Sequence, residues 1–296
     1  MPKLLSWYGG KYYMLNLLLK LLPRHRYYLE AFGGSATLLF AKKRAEFEVY
    51  NDIDSNLVNF FRVLRDKPKE LWRKLWLTPF SHEEYKYCSE NYKNAEDPVE
   101  KARMFFVAVK QAFGGRLTAK SWVVEKFGHS GSGKHNSAEI YKNTIKELLI
   151  YAKRLQGIFI ENKDWREILD YYNDWEKEGV FYLDPPYYPS VKKLQNDYEY
   201  TMTEQDHEEL IDWCLNKAKV NVMLSGYPNE LYNELDKAGW KRYCKKIPCF
   251  AKATTYNSNF IGEGVYNEED YRTDCVWVNY ISEFELPTLF PLDNLE

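Results

Sequence analysis

The sequence predicts an α/β protein with a doubly wound sheet that a mostly helical insert interrupts. Three observations carry this prediction. Short apolar runs alternate with helical segments at both ends of the chain, a Gly33-Gly34 pair lies at a strand-to-helix turn, and helical signals dominate from residue 66 to residue 155. The predicted sheet is therefore built from two separated parts of the chain.

The composition is that of a globular protein with an unusual number of aromatic side chains. A chain of 296 residues with 45% hydrophobic and 28% charged residues can bury one large core, or one core plus an inserted domain. Aromatic residues make up 17%, and 25 of them are tyrosines. Most tyrosines fill half-buried positions, but a tyrosine ring can also stack and hydrogen-bond on nucleic acid.

Positive charge is concentrated in one segment. The formal net charge is −2, but residues 110–154 contain nine Lys and Arg against three Glu and no Asp. That segment is therefore +6 and the rest of the chain is −8. A basic patch on a nearly neutral protein is enough to bind phosphates, although solvated helix faces give charge runs as well.

The cysteines predict neither a disulfide framework nor a zinc site. Their number is odd and no Cys-x-x-Cys pair is present: Cys88, Cys214, Cys244, Cys249 and Cys275. This pattern fits a reducing cytosol. Because no leader pattern and no membrane-length apolar run are visible, we expect a cytoplasmic protein that does not bind a membrane.

The first part of the chain predicts strand, turn, helix, strand and helix in that order. The strands are residues 27–32 and 47–51, a helix from Ser35 to about Lys43 lies between them, and a second helix reaches about Arg65. This is the beginning of a doubly wound sheet.

The segment 66–155 predicts mostly helices. Ser81 with Glu84 has the pattern of a capping box, and Ser137 opens a helix to Leu155. Between the helices lies a glycine-rich polar stretch at 113–136, whose length is typical of a functional loop.

Strand signals return after the insert at 157–161, 180–183 and 220–224. Thr203 and Asp206 begin a helix between the last two, and residues 243–250 and 275–280 predict an antiparallel pair. We therefore expect a catalytic domain from residues 1–65 and 156–296, and an inserted domain from 66–155.

The sharpest chemical signal is Asp184-Pro185-Pro186-Tyr187, directly after the strand at 180–183. Ligands of open α/β sheets bind at the carboxyl ends of strands. Two prolines stiffen the turn and remove two amide donors, so the local polar groups are acceptors. The segment presents a carboxylate and the Pro185 carbonyl beside an aromatic ring.

Two acceptors beside a flat ring suit a planar amine such as the amino group of adenine. The lone pair of that nitrogen is delocalised into the ring, which makes it a poor nucleophile. Accepting both of its hydrogens favours tetrahedral geometry and frees the lone pair for attack on a methyl group. Tyr187 would hold the base by stacking.

The second signal is Phe32-Gly33-Gly34-Ser35, with Asp52 nineteen positions beyond Gly33. The spacing matches a nucleotide fold in which glycines allow close approach and a later acid binds ribose hydroxyls. No Gly-x-Gly-x-x-Gly is present to bind a pyrophosphate. The pattern therefore favours a nucleoside ligand without phosphates, such as S-adenosylmethionine, although a plain tight turn would look the same.

A third motif, Trp7-Tyr8-Gly9-Gly10-Lys11, lies near the N-terminus. A glycine pair between aromatic residues and a lysine could close over a ligand, with Lys11 meeting a carboxylate. An ordinary loop is the alternative interpretation.

Together these motifs resemble the Dam-type (D12 class, alpha group) DNA adenine-N6 methyltransferases over most of the chain and in order. The family's Phe-x-Gly-x-Gly motif is partly kept, because Ala36 replaces the second glycine. Tyr50 to Ile53 is similar to the strand end that supplies the ribose-binding acid, with Asp54 as an alternative to Asp52. Asp184 to Tyr187 matches the catalytic tetrapeptide in full, while Ser225 to Tyr227 and Arg272 to Asp274 are similar to later elements without an assigned role.

The resemblance implies a Rossmann-like fold of the S-adenosylmethionine-dependent methyltransferases. The implied reaction is methyl transfer to N6 of a flipped-out adenine in double-stranded DNA, with S-adenosylhomocysteine as product and without a metal. The implied catalytic residues are Asp184, Pro185, Pro186 and Tyr187. The implied cofactor-binding residues are Trp7, Tyr8, Lys11, Phe32, Gly33, Gly34, Ser35, Asp52, Asn162, Lys163 and Asp184.

By resemblance, the insert at 66–155 is the target-recognition domain, and its glycine-rich segment reaches into DNA. The basic residues expected to contact DNA are Arg116, Lys120, Lys126 and Lys134, with Arg116 as the candidate for a guanine contact. A separate restriction endonuclease is a partner that a restriction-modification system would add. The sequence leaves the recognition sequence and the oligomeric state open.

Three alternatives remain at this point. A cytosine-N4 methyltransferase performs the same chemistry but more often has Ser in place of Asp184. Methylation of RNA or of a protein amide is the second. The third is a catalytically silent DNA-binding protein with the same fold, against which the intact tetrapeptide argues.

Overall fold

The computed structural model describes residues 3–7, 10–112, 117, 122, 137–189, 200–248 and 271–282. The helices are α1 Leu15–Leu21, α2 Thr37–Ala41, α3 Ser55–Asp66, α4 Pro68–Leu77, α5 His82–Asn91, α6 Pro98–Gln111, α7 Ser137–Leu155, α8 Trp165–Tyr172, α9 Glu204–Asp212 and α10 Asn233–Lys237. The strands are β1 Tyr27–Glu30, β2 Phe47–Asn51, β3 Ile158–Glu161, β4 Gly179–Leu183, β5 Asn221–Gly226, β6 Lys241–Pro248 and β7 Tyr271–Val278.

The seven strands form one sheet in the order β3-β2-β1-β4-β5-β7-β6. All pairs from β3 to β5 are parallel, and β7 runs antiparallel to both β5 and β6. The chain leaves β1 toward β2 and β3 and then returns to β4 on the other side of β1. The point of reversal lies between β1 and β4, where open α/β sheets bind ligands.

Helices cover both faces of the sheet, and each face has its own apolar core. On one face α1, α2, α3, α6 and α7 contribute, with Phe60, Phe105 and Tyr141 among the buried side chains. On the other face α8 and α9 pack with Trp213 and Trp277. The predicted doubly wound α/β class is confirmed.

The helices of the segment 66–155 pack directly against α3 of the sheet domain. Phe106 of α6 stacks on Phe60 of α3 with ring centroids 5.8 Å apart, and Phe106 also contacts Tyr141 of α7. These side chains belong to the same core cluster as Tyr50 of β2. The division of the chain into two domains stays a prediction.

Two helices begin differently in the structure from what the sequence predicts. The helix after the glycine pair begins at Thr37, two residues later than predicted, because Gly34 and Ala36 have positive φ angles of 48° and 53°. At Ser81 the hydroxyl accepts the amide of Glu84, but the carboxylate of Glu84 pairs with Arg103 and does not complete the box. Thr203 and Asp206 form the full capping box.

The expectation of no disulfide is wrong for one pair of cysteines. Cys244 of β6 and Cys275 of β7 are directly opposite in the antiparallel register and form a disulfide across 31 residues. Neither an odd cysteine count nor the spacing reveals such a pair, because strand pairing brings the two residues together. Cys88 and Cys214 are free and buried, and Cys249 lies outside the described residues.

Candidate active site

The carboxyl ends of the central strands bring three acidic side chains to one edge of the sheet. Glu30 is the last residue of β1, Asp52 follows β2, and Asp184 follows β4. Because β1 pairs with both β2 and β4 in parallel, all three lie around the point where the strand order reverses.

The turn after β1 depends on the absence of side chains at both glycines. A Cβ at Gly33 would lie 2.2 Å from Cε2 of Tyr50, and Gly34 has a φ of +48°. The amide of Gly33 donates to the carbonyl of Asn51 at 2.8 Å, and the Tyr50 hydroxyl donates to the carbonyl of Gly34 at 2.8 Å. The turn is thereby fixed to the end of β2. Phe32, half-buried, lies 6.3 Å from Trp165 between ring centroids.

Asp52 and Asp54 have different functions in the structure. Asp52 Oδ2 accepts the amide of Gly34 at 2.8 Å, and its Oδ1 accepts the amide of Asp54 at 2.9 Å. Asp54 is 4% exposed and its side chain caps the N-terminus of α3. The cap explains Asp54 as a structural residue, and Asp52 remains at the strand end beside the glycine turn.

Asn51 connects the ends of three strands. Its Nδ2 donates to the carbonyls of Ala31 at 2.9 Å and Lys163 at 3.0 Å, and its Oδ1 accepts the amide of Lys163 at 2.9 Å. Asn162 donates its side-chain amide to the carbonyls of Asp52 and Ile53. The side-chain nitrogen of Asn162 thus holds the loop after β2, and the Lys163 ammonium lies 5.5 Å from the Tyr171 ring.

The N-terminal motif reaches both the glycine turn and the end of β4. Cδ1 and Nε1 of Trp7 lie 3.3 Å from the position of a Cβ on Gly34. Ser35, 7% exposed, pairs its hydroxyl with that of Thr37 at 2.8 Å. Five of the predicted cofactor-binding residues are therefore grouped around one turn: Trp7, Phe32, Gly33, Gly34 and Ser35. Tyr8 lies outside the described residues.

Lys11 forms a buried ion pair with Asp184. Its Nζ lies 2.8 Å from Asp184 Oδ1 and donates to the Tyr187 hydroxyl at 3.2 Å. The Lys11 side chain is 4% exposed and that of Asp184 19%. The sequence predicts that Lys11 meets the carboxylate of a ligand and does not predict its pairing with Asp184. The two residues are 173 positions apart, so no local pattern indicates the contact.

The charges of this pair shift both pKa values. Burial lowers the pKa of Lys11, but Asp184, Tyr187 and Asp274 outweigh that effect and leave the pKa well above its ordinary value. Burial raises the pKa of Asp184, with Lys11 opposing and Asp274 adding to the rise. Lys11 is thus cationic at neutral pH and favours the ionised form of Asp184.

Two further acids at this edge have raised pKa values. Burial raises the pKa of Asp52 to about 6, although the amides of Asp54 and Gly34 stabilise the ionised form and oppose the rise. Burial raises the pKa of Glu30 to about 7. Glu30 Oε1 accepts the amide of Leu39 and the hydroxyl of Tyr28, both at 2.7 Å, and so ties α2 to β1.

Tyr187 is stacked on Tyr227, to which sequence reasoning gave no role. The two ring centroids are 4.2 Å apart and the planes differ by 12°. Tyr187 is 9% exposed, whereas Tyr227, just after β5, is half-buried. Pro185 is buried and Pro186 half-buried between Asp184 and this pair. An aromatic residue directly after a strand is the signal that could have identified Tyr227.

The four predicted DNA-binding residues lie outside the described residues: Arg116, Lys120, Lys126 and Lys134. No group of three or more His, Cys, Asp and Glu that could hold a metal occurs within the ranges given above. Among the described helices, none is long and apolar enough to cross a membrane.

A parallel sheet in this strand order, closed by an antiparallel β7 and with acids after β2 and β4, has the fold of the S-adenosylmethionine-dependent methyltransferases. The family model of the D12 class N6 adenine-specific DNA methyltransferases matches residues 7–247. The chain belongs to that family.

Proteins that are similar to this chain are named as DNA methyltransferases. A DNA adenine methylase of Salmonella typhi and one of Escherichia coli (strain K12) are each 22% identical over 240 residues, which covers 78% of this chain and 82% of each relative. Type II methyltransferase M1.LlaDCHI of Lactococcus lactis subsp. cremoris is 25% identical over 249 residues, covering 78% and 83%. The predicted adenine-specific DNA methyltransferase is confirmed at the level of the family.

Proposed function

We propose that this chain transfers the methyl group of S-adenosylmethionine to N6 of an adenine that is flipped out of double-stranded DNA. The observation that carries the proposal is the buried contact of Lys11 with Asp184 and Tyr187. Lys11 follows Gly10, and a Cβ on Gly10 would lie 3.5 Å from the hydroxyl oxygen of Ser35 in the turn after β1. The acceptor group for the amine and the binding region for the nucleoside are then neighbours.

The residues around the glycine turn fit the methyl donor. Asp52 accepts the backbone amides of Gly34 and Asp54, one on each oxygen, and the Ile53 amide also stabilises its charge. Because a carboxylate offers about four acceptor positions, capacity for a ribose hydroxyl remains. Phe32 and Trp165 supply an apolar surface for the adenine ring of the donor. The donor brings a methyl group on a positively charged sulfur, and the neutral thioether that this sulfur becomes is a good leaving group.

Asp184 and the Pro185 carbonyl accept the two hydrogens of the target amino group. Lys11 holds Oδ1 of Asp184, while Oδ2 accepts no hydrogen bond from any described residue. Oδ2 is thus available to the base. Acceptance of both hydrogens would favour the tetrahedral nitrogen whose lone pair forms the new N–C bond, while the C–S bond of the donor breaks and the sulfur leaves as a neutral thioether. The excess proton of the nitrogen would pass to Asp184, which already accepts that hydrogen, and from there to solvent.

Lys11 has two effects on this step. It keeps Asp184 ionised and acceptor-only, because protonation of Asp184 would convert an acceptor into a donor. It also holds the Asp184 carboxylate in one orientation, because the Lys11 ammonium that pairs with it is itself held by the Tyr187 hydroxyl. Such positioning is worth more in a buried site than in water.

The contacts of Tyr187 restrict where a base can stack on its ring. Tyr227 covers one face of Tyr187 at a centroid distance of 4.2 Å, and the Lys11 ammonium lies 4.7 Å from the Tyr187 ring centroid. A flipped adenine that stacks on the covered face therefore requires Tyr227 to move away. Flipping itself costs a few kcal/mol of unstacking, which protein contacts offset.

The segment 66–155 is proposed to recognise the target in DNA. The support is its net charge, which is +6 between residues 110 and 154. Arg116, Lys120, Lys126 and Lys134 are the proposed contacts with phosphates and bases. A domain of this charge also favours duplex DNA over a protein amide as substrate.

The test is transfer of labelled methyl from S-adenosylmethionine to unmethylated duplex DNA, followed by digestion to nucleosides. Label in N6-methyladenine with the wild type, and its absence with Asp184→Ala, is the expected result. Asp184→Ala should retain most of the cofactor affinity, because the main role of Asp184 is to bind the base. Label in N4-methylcytosine would contradict the choice of base. A wild type that binds cofactor and DNA but transfers no label would support a silent binder.

A further inference from the structure

The stack of Tyr187 on Tyr227 joins two turns, one after β4 and one after β5. Buried contacts hold the second turn. The Asn229 side-chain amide donates to the carbonyl of Tyr227 at 3.0 Å, and its Oδ1 accepts the amide of Tyr232 at 2.9 Å. The Tyr232 ring packs on the end of β5, because a Cβ on Gly226 would lie 2.6 Å from its Cε2. The position of Tyr227 therefore depends on where Tyr232 lies.

His207 of α9 connects this second turn to the turn after β4. Its ring is fully buried, and its Nδ1 lies 3.0 Å from the hydroxyl of Tyr232. The ring also meets the Tyr188 ring edge to face, with centroids 5.3 Å apart and planes at 66°. Tyr188 directly follows Tyr187 in the chain. One imidazole thus contacts the turn of Tyr187 and, through Tyr232, the turn of Tyr227.

The His207 ring is neutral at pH 7, and one of its nitrogens is unused. Burial lowers the pKa of His207 to about 4, although Asp206 and the backbone carbonyl of Pro186 oppose the fall. In a neutral imidazole one nitrogen donates and the other accepts. Nδ1 pairs with Tyr232, whereas the buried Nε2 forms no hydrogen bond with any described residue. A buried polar atom without its hydrogen bond costs free energy, so a partner for Nε2 is favourable.

The carbonyl of Pro186 is the acceptor that suits Nε2. It lies close enough to His207 to raise the pKa of the ring, and a carbonyl only accepts hydrogen bonds. Donation by the Tyr232 hydroxyl to Nδ1 leaves the ring proton on Nε2, which then points a donor at an acceptor. A small movement of the turn after β4 completes this bond. Such a movement accompanies a base that stacks on the face of Tyr187 that Tyr227 covers.

We propose that His207 is a positioning residue for methyl transfer, which holds the turns of Tyr187 and Tyr227 at the separation that the target base requires. The inference rests on the proposed function. With the base bound, Nδ1 accepts the hydroxyl of Tyr232 and Nε2 donates to the carbonyl of Pro186. Because the second bond forms only in that state, it favours the complex in which the base is placed for reaction.

The experiment measures methyl transfer from S-adenosylmethionine to unmethylated duplex DNA at saturating concentrations of both, with the full chain. Affinity for S-adenosylhomocysteine and the free energy of unfolding are measured beside it. His207→Leu keeps an apolar side chain and loses both polar contacts. Its kcat should fall about 10- to 100-fold, because a misplacement of about 1 Å in a positioned group has an effect of that size. Its affinity for S-adenosylhomocysteine should stay that of the wild type.

Three further variants make this result specific. His207→Gln retains an acceptor and a donor and should recover most of the lost kcat. Tyr232→Phe removes the hydroxyl and should lower kcat as well, with an effect that does not add to that of His207→Leu. Leu210→Ala, at a buried position one turn later on α9, is the control. It should lower the free energy of unfolding and leave the kcat of the folded protein unchanged.

The outcomes separate this inference from the proposed function. A wild-type kcat in His207→Leu would overturn it. So would a loss of kcat in Leu210→Ala as large as that in His207→Leu, because His207 would then be a core residue only. If His207→Gln were no more active than His207→Leu, the two hydrogen bonds would not be the cause. Failure of the wild type to transfer any label would contradict the proposed function, and the inference with it.

Discussion

The ammonium of Lys11 lies 2.8 Å from Oδ1 of Asp184 and joins the N-terminal motif to the tetrapeptide after β4. Two motifs at opposite ends of the first 187 residues thus form one unit at the edge of the sheet. A mutation in either motif should therefore affect the other.

Lys11→Met tests this coupling. Loss of the cation leaves Asp184 buried without its partner, so the pKa of Asp184 should rise further and less of it is ionised at pH 7. We expect the rate of methyl transfer at saturating cofactor to fall about 100-fold or more. The residual activity should need a higher pH than that of the wild type.

The pH–rate profile checks this prediction, with the exposed Lys20→Met as control. An unshifted profile for Lys11→Met would show that Asp184 does not depend on this charge.

Substitutions of Asp52 and Asp54 should have different effects, the first on cofactor affinity and the second on stability. The pKa of Asp52 is raised to about 6, and binding of ribose hydroxyls favours the ionised form. Affinity for S-adenosylhomocysteine should therefore fall as the pH drops through about 6. Asp52→Asn should weaken binding at pH 8 about 10-fold and remove this pH dependence.

Asp54→Ala is the matched variant. It removes the cap of α3 and should lower the free energy of unfolding by about 1 kcal/mol without changing cofactor affinity. Titration calorimetry and denaturant unfolding measure the two effects. If the phenotypes of the two variants were exchanged, Asp54 would be the ribose-binding acid.

Gly33→Ala should destabilise the fold, because its Cβ would lie 2.2 Å from the Tyr50 ring. That ring cannot shift easily, since it is fully buried and packs on Phe61 with centroids 4.7 Å apart. We expect a loss of about 1–3 kcal/mol in the free energy of unfolding.

A double-mutant cycle with Tyr50→Ala tests the cause. The double variant should be less destabilised than the sum of the two single variants, because the clash disappears with the ring. If the losses in the free energy of unfolding were additive, the destabilisation by Gly33→Ala would not come from a clash with the Tyr50 ring.

Glu30 should make the fold less stable as the pH rises. Its pKa is raised from about 4.5 to about 7 by burial, so its contribution is fully present below about pH 4.5 and is lost as the pH rises through about 7. The shift corresponds to about 3 kcal/mol. Glu30→Gln keeps an acceptor for the amide of Leu39 and should abolish this part of the pH dependence.

Denaturant unfolding between pH 4 and pH 8 measures the effect, with the exposed Glu167→Gln as control. Identical slopes for Glu30→Gln and the wild type would mean that Glu30 keeps an ordinary pKa.

The sequence predicts the strands and their chemistry better than the contacts between distant segments. The predicted range of β2 agrees with the structure, and the antiparallel pair of β6 and β7 is present. Apolar runs and turn residues are local signals, so local elements follow from them.

The contacts that the sequence does not reveal depend on sheet order. The disulfide of Cys244 with Cys275, the stacking of Tyr187 on Tyr227, and the ion pair of Lys11 each join segments that become neighbours only after the strands pair. The capping of α3 by Asp54 is local, and the pattern of an acid before a helix could have distinguished it from Asp52.

The packing of α6 and α7 on α3 bears on how the chain unfolds. Phe106 and Tyr141 share their core with Tyr50 of the sheet, so the helices after residue 66 and the central strands lose their packing together. Calorimetry should therefore record one cooperative transition for these elements. For protein engineering, a graft of this segment between relatives has to carry its inward-facing aromatic residues as well as its basic residues, because those aromatic side chains complete the core against the sheet.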